Sequence, residues 1–175
     1  MKRAVFLDRD GVIIEAVIRE GKPFPPTSLS EVKISEGFEN ILQKIATAGF
    51  IIVGVSNQPD VARGLQTRAE VEKINQYLVD KLPIERILVC YHDEKEACSC
   101  RKPKPGLILE AAALFDIDLA NSYMVGDRWK DIEAGKNAGC RTVFINYSYV
   151  EKQPEGYDFS VQKPAEIVDI ILASI

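Results

Sequence analysis

The chain has 175 residues, 46% of them apolar and 27% charged, with a net charge of −4. That length suits one domain around a single core, and the balance is that of a globular protein. An acidic chain with no long basic run is a poor partner for nucleic acid or an anionic membrane, although local positive charge can still gather an anionic small molecule.

The apolar run Ala4–Leu7 predicts a buried strand, ending in polar Asp8-Arg9-Asp10-Gly11. It is too short for the apolar part of a signal peptide, and Asp8 interrupts it. Residues 15–36 contain Pro23, Pro25 and Pro26 and read as an irregular excursion. Phe38, Ile41, Leu42 and Ile45 recur at helical spacing, with Gly49 as the stop. Phe50–Val55 predicts a second strand, leading to Ser56-Asn57-Gln58. Thr67 can cap a helix running to about Lys81.

Ile87–Val89 predicts a third strand, and Gly106–Phe115 a helix beginning just after Pro105. Tyr123–Val125 is a fourth strand ending at Gly126-Asp127, followed by a helix over Lys130–Ala138 stopped by Gly139. Thr142–Ile145 is a fifth strand. The stretch 147–160 reads as a surface loop with one edge strand, and Pro164 suits the first turn of a terminal helix carrying Ile167, Ile170 and Ile171. Short apolar strands alternating with amphipathic helices predict a parallel sheet covered on both faces. The expectation is a Rossmann-like three-layer α/β/α sandwich, one domain over residues 1–175, with Asp8 near the centre of the sheet. No apolar stretch approaches the roughly 20 residues that span a bilayer. A cytoplasmic protein is expected, with a monomer as the default.

Polar residues gather just after the strands: Asp8 and Asp10, then Ser56 and Asn57, then Asp127 and Asp131. In an open parallel sheet those strand ends form the ligand crevice. A carboxylate attacking a phosphate ester must overcome charge repulsion, which a divalent cation held by carboxylates offsets. Asp8 and Asp127 are candidate ligands, and Asp8 would keep one oxygen for attack. Asp10 is placed to give and take a proton. Ser56 can hold phosphate oxygens, and Lys102 or Lys104 can balance their charge. Taken singly, Asp-x-Asp-Gly also fits a solvated turn or a calcium-loop fragment; the convergence carries the argument.

Cys90-x-His92 and Cys98-x-Cys100 place four ligand types within eleven residues. Three thiolates and an imidazole suit a closed structural Zn²⁺ site; the alternative is four ordinary residues with a chance disulfide. Such a clamp would fix the backbone of Arg101 and Lys102, which follow directly. Cys140 reads as a small buried apolar residue.

Asp8-Arg9-Asp10-Gly11-Val12, Ser56-Asn57, Lys102-Pro103-x-Pro105 and Gly126-Asp127-x-x-x-Asp131 resemble the four ordered motifs of the haloacid dehalogenase (HAD) superfamily phosphatases. The resemblance implies Asp8 as nucleophile, Asp10 as acid and base, Ser56 as phosphate binder and Lys102 as charge balancer. It implies Mg²⁺ on Asp8, Asp127 and the Asp10 main-chain carbonyl, with Asp131 as support or further ligand. Val12 stands where the superfamily has Thr. The Cys/His run resembles heptose bisphosphate phosphatases and histidinol-phosphate phosphatases. Asn57-Gln58-x-x-x-Ala62-Arg63-Gly64 is more similar to the heptose group, from which the chain departs in a shorter zinc loop and in Arg128 for the usual lysine.

No cap-sized insertion follows Asp10, so an open site with a minimal cap is expected. Asn57, Arg63, Arg101 and Arg128 are candidates for substrate contact, since a guanidinium takes phosphate through two bonds. The expected partner is a small phosphorylated metabolite, in first place heptose 1,7-bisphosphate losing its C7 phosphate. Histidinol phosphate or another sugar phosphate is the enzymatic alternative, and a zinc-stabilised scaffold protein the non-enzymatic one.

Overall fold

A computed structural model describes residues 1–173. Six strands form one parallel sheet: β1 (Arg3–Leu7), β4 (Phe50–Asn57), β5 (Arg86–Cys90), β6 (Tyr123–Gly126), β7 (Arg141–Ile145) and β8 (Phe159–Val161). Their order is β5-β4-β1-β6-β7-β8. Strand β1 is therefore central, paired with β4 from Arg3↔Phe50 to Leu7↔Gly54 and with β6 up to Leu7↔Val125. Side chains alternate across β1. Val5 and Leu7 face one core and Ala4 and Phe6 the other, as the two-residue period of a strand requires.

Helices fill both faces. The helices α1 (Phe38–Thr47), α2 (Arg68–Lys81) and α5 (Ile167–Leu172) send Leu42, Ile74 and Ile171 into the first core. On the other side lie α3 (Gly106–Phe115) and α4 (Trp129–Ala138), through Ile108, Ala111 and Ala134. This is the three-layer α/β/α sandwich expected. The Thr67 hydroxyl accepts from the Glu70 amide at 3.2 Å and caps α2. Cys140 is buried in the second core. Among the described residues no helix is long and apolar enough to cross a membrane.

Three regions differ in detail from the expectation. Residues 15–36 are not wholly irregular: β2 (Val17–Arg19) and β3 (Lys22–Phe24) form an antiparallel hairpin. Its turn places Glu20 and Gly21 at φ 50° and 72°, the left-handed pair that a tight hairpin demands. A glutamate at the first turn position and Pro23 within a strand both hid it. The terminal helix starts later, because Pro164–Glu166 forms a separate 3₁₀ turn before α5. Strand β8 supplies the edge strand, and 146–158 is a long strap held against the site.

Replacing the fully buried Leu42 with alanine should cost about 2–5 kcal/mol in urea unfolding. Leu65→Ala, at a side chain 72% exposed, should stay within about 0.5 kcal/mol.

Candidate active site

Because β1, β4 and β6 run parallel and in register, their C-terminal ends lie side by side. Asp8 follows β1, Ser56 and Asn57 end β4, and Asp127 follows β6. The Asp8 amide donates to the Val125 carbonyl at 3.0 Å, which carries the sheet pairing up to the site. Gly11 lets the loop close: its φ is +93°, and a Cβ there would overlap the Asp127 carboxylate.

Lys102 lies at the heart of this crevice and is buried. Its Nζ donates to Asp8 Oδ1 at 2.7 Å and to the Val55 carbonyl at 2.8 Å, and lies 2.7 Å from Asp131 Oδ1. All three ammonium donors thus have partners. Burial opposes the charge, but Asp131 and Asp8 outweigh it and hold Lys102 above its ordinary value. Asp131 reaches Lys102 with one oxygen and accepts from the Arg128 amide with the other at 3.0 Å, capping α4.

Asp127 is buried, and its Oδ1 has no hydrogen-bond partner among the described residues. Oxygens of Asp8, Asp127 and Asp131 lie within 4.8 Å of one another. Fully ionised, three carboxylates against one ammonium would leave two negative charges in a buried space. Burial, then Asp8 and Asp131, raise Asp127 well above the usual carboxylate range; burial and Asp8 push Asp131 up to about 6. A divalent cation fits this site on two grounds: the charge left over and the orphaned oxygen.

Asp10 opens onto the same cavity of about 290 Å³ as Asp8. Fully buried Arg9 forks both Asp10 oxygens, at 3.1 and 3.2 Å, and fixes its own Nη1 on Asn75 Oδ1 at 3.0 Å. Gln58 Nε2 donates to Asp10 Oδ2 at 2.7 Å and to Ser56 Oγ at 2.8 Å. Burial raises the Asp10 carboxyl, against the pull of Arg9; a carboxyl raised in this way can hold a proton to give. Ser56 Oγ, accepting from Gln58, keeps its own proton free to donate. The Asn57 amide grips the Lys102 backbone with both ends, at 3.0 and 3.1 Å.

Strand β5, paired with β4 so that Asn57 sits opposite Cys90, delivers the Cys/His loop to the cavity wall. Ligand atoms of Cys90, His92, Cys98 and Cys100 all lie within 4.8 Å of one another, and none of the cysteines is in a disulfide. His92 Nδ1 is 3.3 Å from Cys100 Sγ and 3.5 Å from Cys90 Sγ. Lys104 turns away from the site and donates to the Cys98 carbonyl at 2.6 Å.

Comparison with known proteins places this geometry in a lineage. A profile described as HAD-hydrolase-like matches residues 99–172. A Helicobacter pylori D-glycero-beta-D-manno-heptose-1,7-bisphosphate 7-phosphatase is 31% identical over 175 residues, covering 97% of each chain. The chain belongs to the HAD-like hydrolase family. A Campylobacter jejuni D-glycero-alpha-D-manno-heptose-1,7-bisphosphate 7-phosphatase is 30% identical over 148 residues, covering 82% of this chain and 81% of its own. The crystal structure of a D,D-heptose 1,7-bisphosphate phosphatase from B. bronchiseptica, complexed with magnesium and phosphate, matches with a TM-score of 0.82 at 26% identity over 99% of both chains.

The rim of this HAD-like site is basic, and four of its cations, Arg63, Arg101, Arg128 and Lys130, are tied to acids. Arg63 pairs with Asp93 at 2.6 Å and Asp60 at 3.3 Å. Arg101 and Lys130 share Glu94 Oε1, at 3.2 and 2.7 Å. Arg128 holds Glu151 through Nε and Nη2. Glu94 is 62% exposed, so its pairs are weak and easily given up to an incoming anion; Glu151 is 14% exposed and keeps Arg128. Arg128 still lines the cavity. The hairpin β2–β3 overhangs it with Lys22 and Phe24, a flap rather than a cap domain.

Sequence reasoning passed over several of these residues. Arg9 sits at the variable position of Asp-x-Asp and reads as surface charge. Lys130 carries no motif. Tyr149, whose hydroxyl donates to Asp127 Oδ2 at 2.8 Å, and Glu151 lie in the strap, where no periodicity marks them.

Lys102→Met should lower stability by about 3–5 kcal/mol in urea at pH 8, because it strands buried carboxylates without their cation. Carboxylates raised in the folded state bind protons there before they do in the unfolded chain. The loss should therefore shrink as pH falls towards 6, where protons replace the missing ammonium.

Proposed function

We propose that this chain is a magnesium-dependent phosphatase that removes the C7 phosphate of heptose 1,7-bisphosphate by way of a phosphorylated Asp8. The observation that carries the reading is Asp8 itself. One carboxylate oxygen is locked on Lys102, and the group faces a cavity beside the unpartnered oxygen of Asp127. The substrate assignment is supported by the relatives, whose names divide between beta and alpha anomers of one bisphosphate.

Asp8 attacks phosphorus in line with the sugar oxygen, and the phosphorus–oxygen bond to the sugar breaks as the aspartyl–phosphate bond forms. Asp10, aimed by Arg9 and Gln58, gives its proton to the departing oxygen. The same carboxylate then takes a proton from the water that hydrolyses the aspartyl-phosphate, which restores both groups. Lys102 and the Ser56 hydroxyl stabilise the phosphoryl oxygens. Asn57 acts through the Lys102 backbone, holding the ammonium where it is needed. Asp8, Asp127 and the Asp10 carbonyl would hold Mg²⁺, which when bound draws charge from the phosphoryl oxygens and offsets their repulsion by Asp8. Asp131, with both oxygens engaged, supports Lys102 rather than the ion. Arg101 and Lys130, released from Glu94, take the second phosphate of the substrate, and Arg63 flanks them. Asp8→Asn should abolish phosphate release from heptose 1,7-bisphosphate while leaving folding intact. A parent protein that hydrolyses histidinol phosphate and leaves heptose bisphosphates untouched would overturn the substrate assignment.

Zn²⁺ on Cys90, His92, Cys98 and Cys100 is the second part of the proposal. The four donors already converge, and four protein ligands leave no open position, so the metal's work is structural. It fixes the stem from which Arg101 and Lys102 project. Cys98→Ser should lose zinc by elemental analysis and lower turnover through disorder of that stem. Full zinc content in the variant would remove Cys98 from the ligand set.

A further inference from the structure

The strap 146–158 makes a series of contacts with the metal-ligand loop. Tyr149 donates to Asp127 Oδ2 at 2.8 Å, Glu151 forks Arg128, and the Lys152 ammonium lies 4.2 Å from the centre of the Trp129 ring. Three residues within four positions of one segment thus hold three successive residues of the other. The strap is also braced internally and on its far side. Gln153 Nε2 donates to the Tyr149 and Glu151 carbonyls, and the Val150 amide donates to the Gly21 carbonyl at the hairpin turn. A Cβ at Gly21 would press on the Val150 side chain, so the turn glycine makes room for this contact.

We propose that Tyr149 is a positioning residue for Asp127, and that the strap around it sets how tightly the catalytic cation is held. The inference rests on the reading of Asp127 as a magnesium ligand. A carboxylate can rotate about its last bond. A hydroxyl bonded to one oxygen stops that rotation and leaves the other aimed at its target. Here Oδ2 is taken by Tyr149, and Oδ1 is the buried oxygen without a partner. Groups of this kind behind a metal ligand commonly change affinity by about 10–100-fold when removed. A phenol keeps its proton at neutral pH, so the Tyr149 hydroxyl is a donor. The role therefore needs the hydroxyl alone, and Phe at this position keeps the ring while deleting it.

The test is Mn²⁺ binding to the substrate-free full chain, read as the loss of free-ion signal in electron paramagnetic resonance. Parent, Tyr149→Phe, Glu151→Gln and Asp127→Asn are compared, each checked by thermal melting. Tyr149→Phe should raise the Mn²⁺ Kd about tenfold, and its phosphate release should fall more at limiting than at saturating Mg²⁺. Glu151→Gln, which loosens the strap without touching Asp127, should weaken binding in the same direction by less. Asp127→Asn should lose binding. If Asp127→Asn binds like the parent, the metal-ligand reading fails and takes this inference with it. If Asp127→Asn loses Mn²⁺ while a normally melting Tyr149→Phe keeps the parent Kd, the positioning role alone is overturned. Should Tyr149→Phe melt early, Glu151→Gln decides on the same scale, an unchanged Kd counting against the strap.

Discussion

The Lys102 ammonium lies between Asp8 and Asp131, within 2.7 Å of each, and the site depends on that placement. Without it, three buried carboxylates would repel one another across a few ångströms of poorly screened space. With it, the cluster is tolerable but, when fully ionised, still carries two uncompensated charges. Burial, and then that residue of negative charge, raises Asp127, and the same charge explains the fit of a divalent cation. The same arrangement leaves Asp8 anchored by one oxygen and open to the cavity. Stability and chemistry are thus two consequences of one ion cluster.

Much of the remaining structure serves to put Lys102 there. Asn57 at the end of β4 clasps its backbone, and β5 brings in the Cys/His loop that immediately precedes it. Asp131 receives its charge from the first turn of α4 and caps that helix with its other oxygen. Parallel pairing makes this possible, since β4, β1 and β6 all point their C-terminal ends at one crevice. The strap and the hairpin approach from the outside, the first gripping the loop after β6 that carries Asp127 and the second overhanging the cavity.

The sheet and its helices were legible in the sequence because burial on both faces leaves uninterrupted apolar runs, as in Ala4–Leu7 and Phe50–Val55. Asp8, Ser56 and Asp127 were legible for a related reason: each is the polar residue at which such a run stops. The Cys/His loop announced itself through ligand chemistry alone. The hairpin was hidden because Glu20 adopts a backbone conformation that its side chain does not advertise, and Pro23 argued against a strand. Arg9, Tyr149 and Glu151 were hidden for another reason. Their partners lie across the fold or at a variable position, and a charge or a phenol in a loop looks the same whether it faces water or a buried carboxylate.

The central claim is that phosphate passes through Asp8, and chemical trapping tests it most directly. An acyl phosphate is reduced by borohydride to an alcohol, whereas a free carboxylate is not. Protein quenched during turnover of heptose 1,7-bisphosphate with Mg²⁺, reduced and digested, should show homoserine at position 8 by mass spectrometry, and none without substrate. Sustained turnover with position 8 unmodified, or reduction at another carboxylate, would contradict the account.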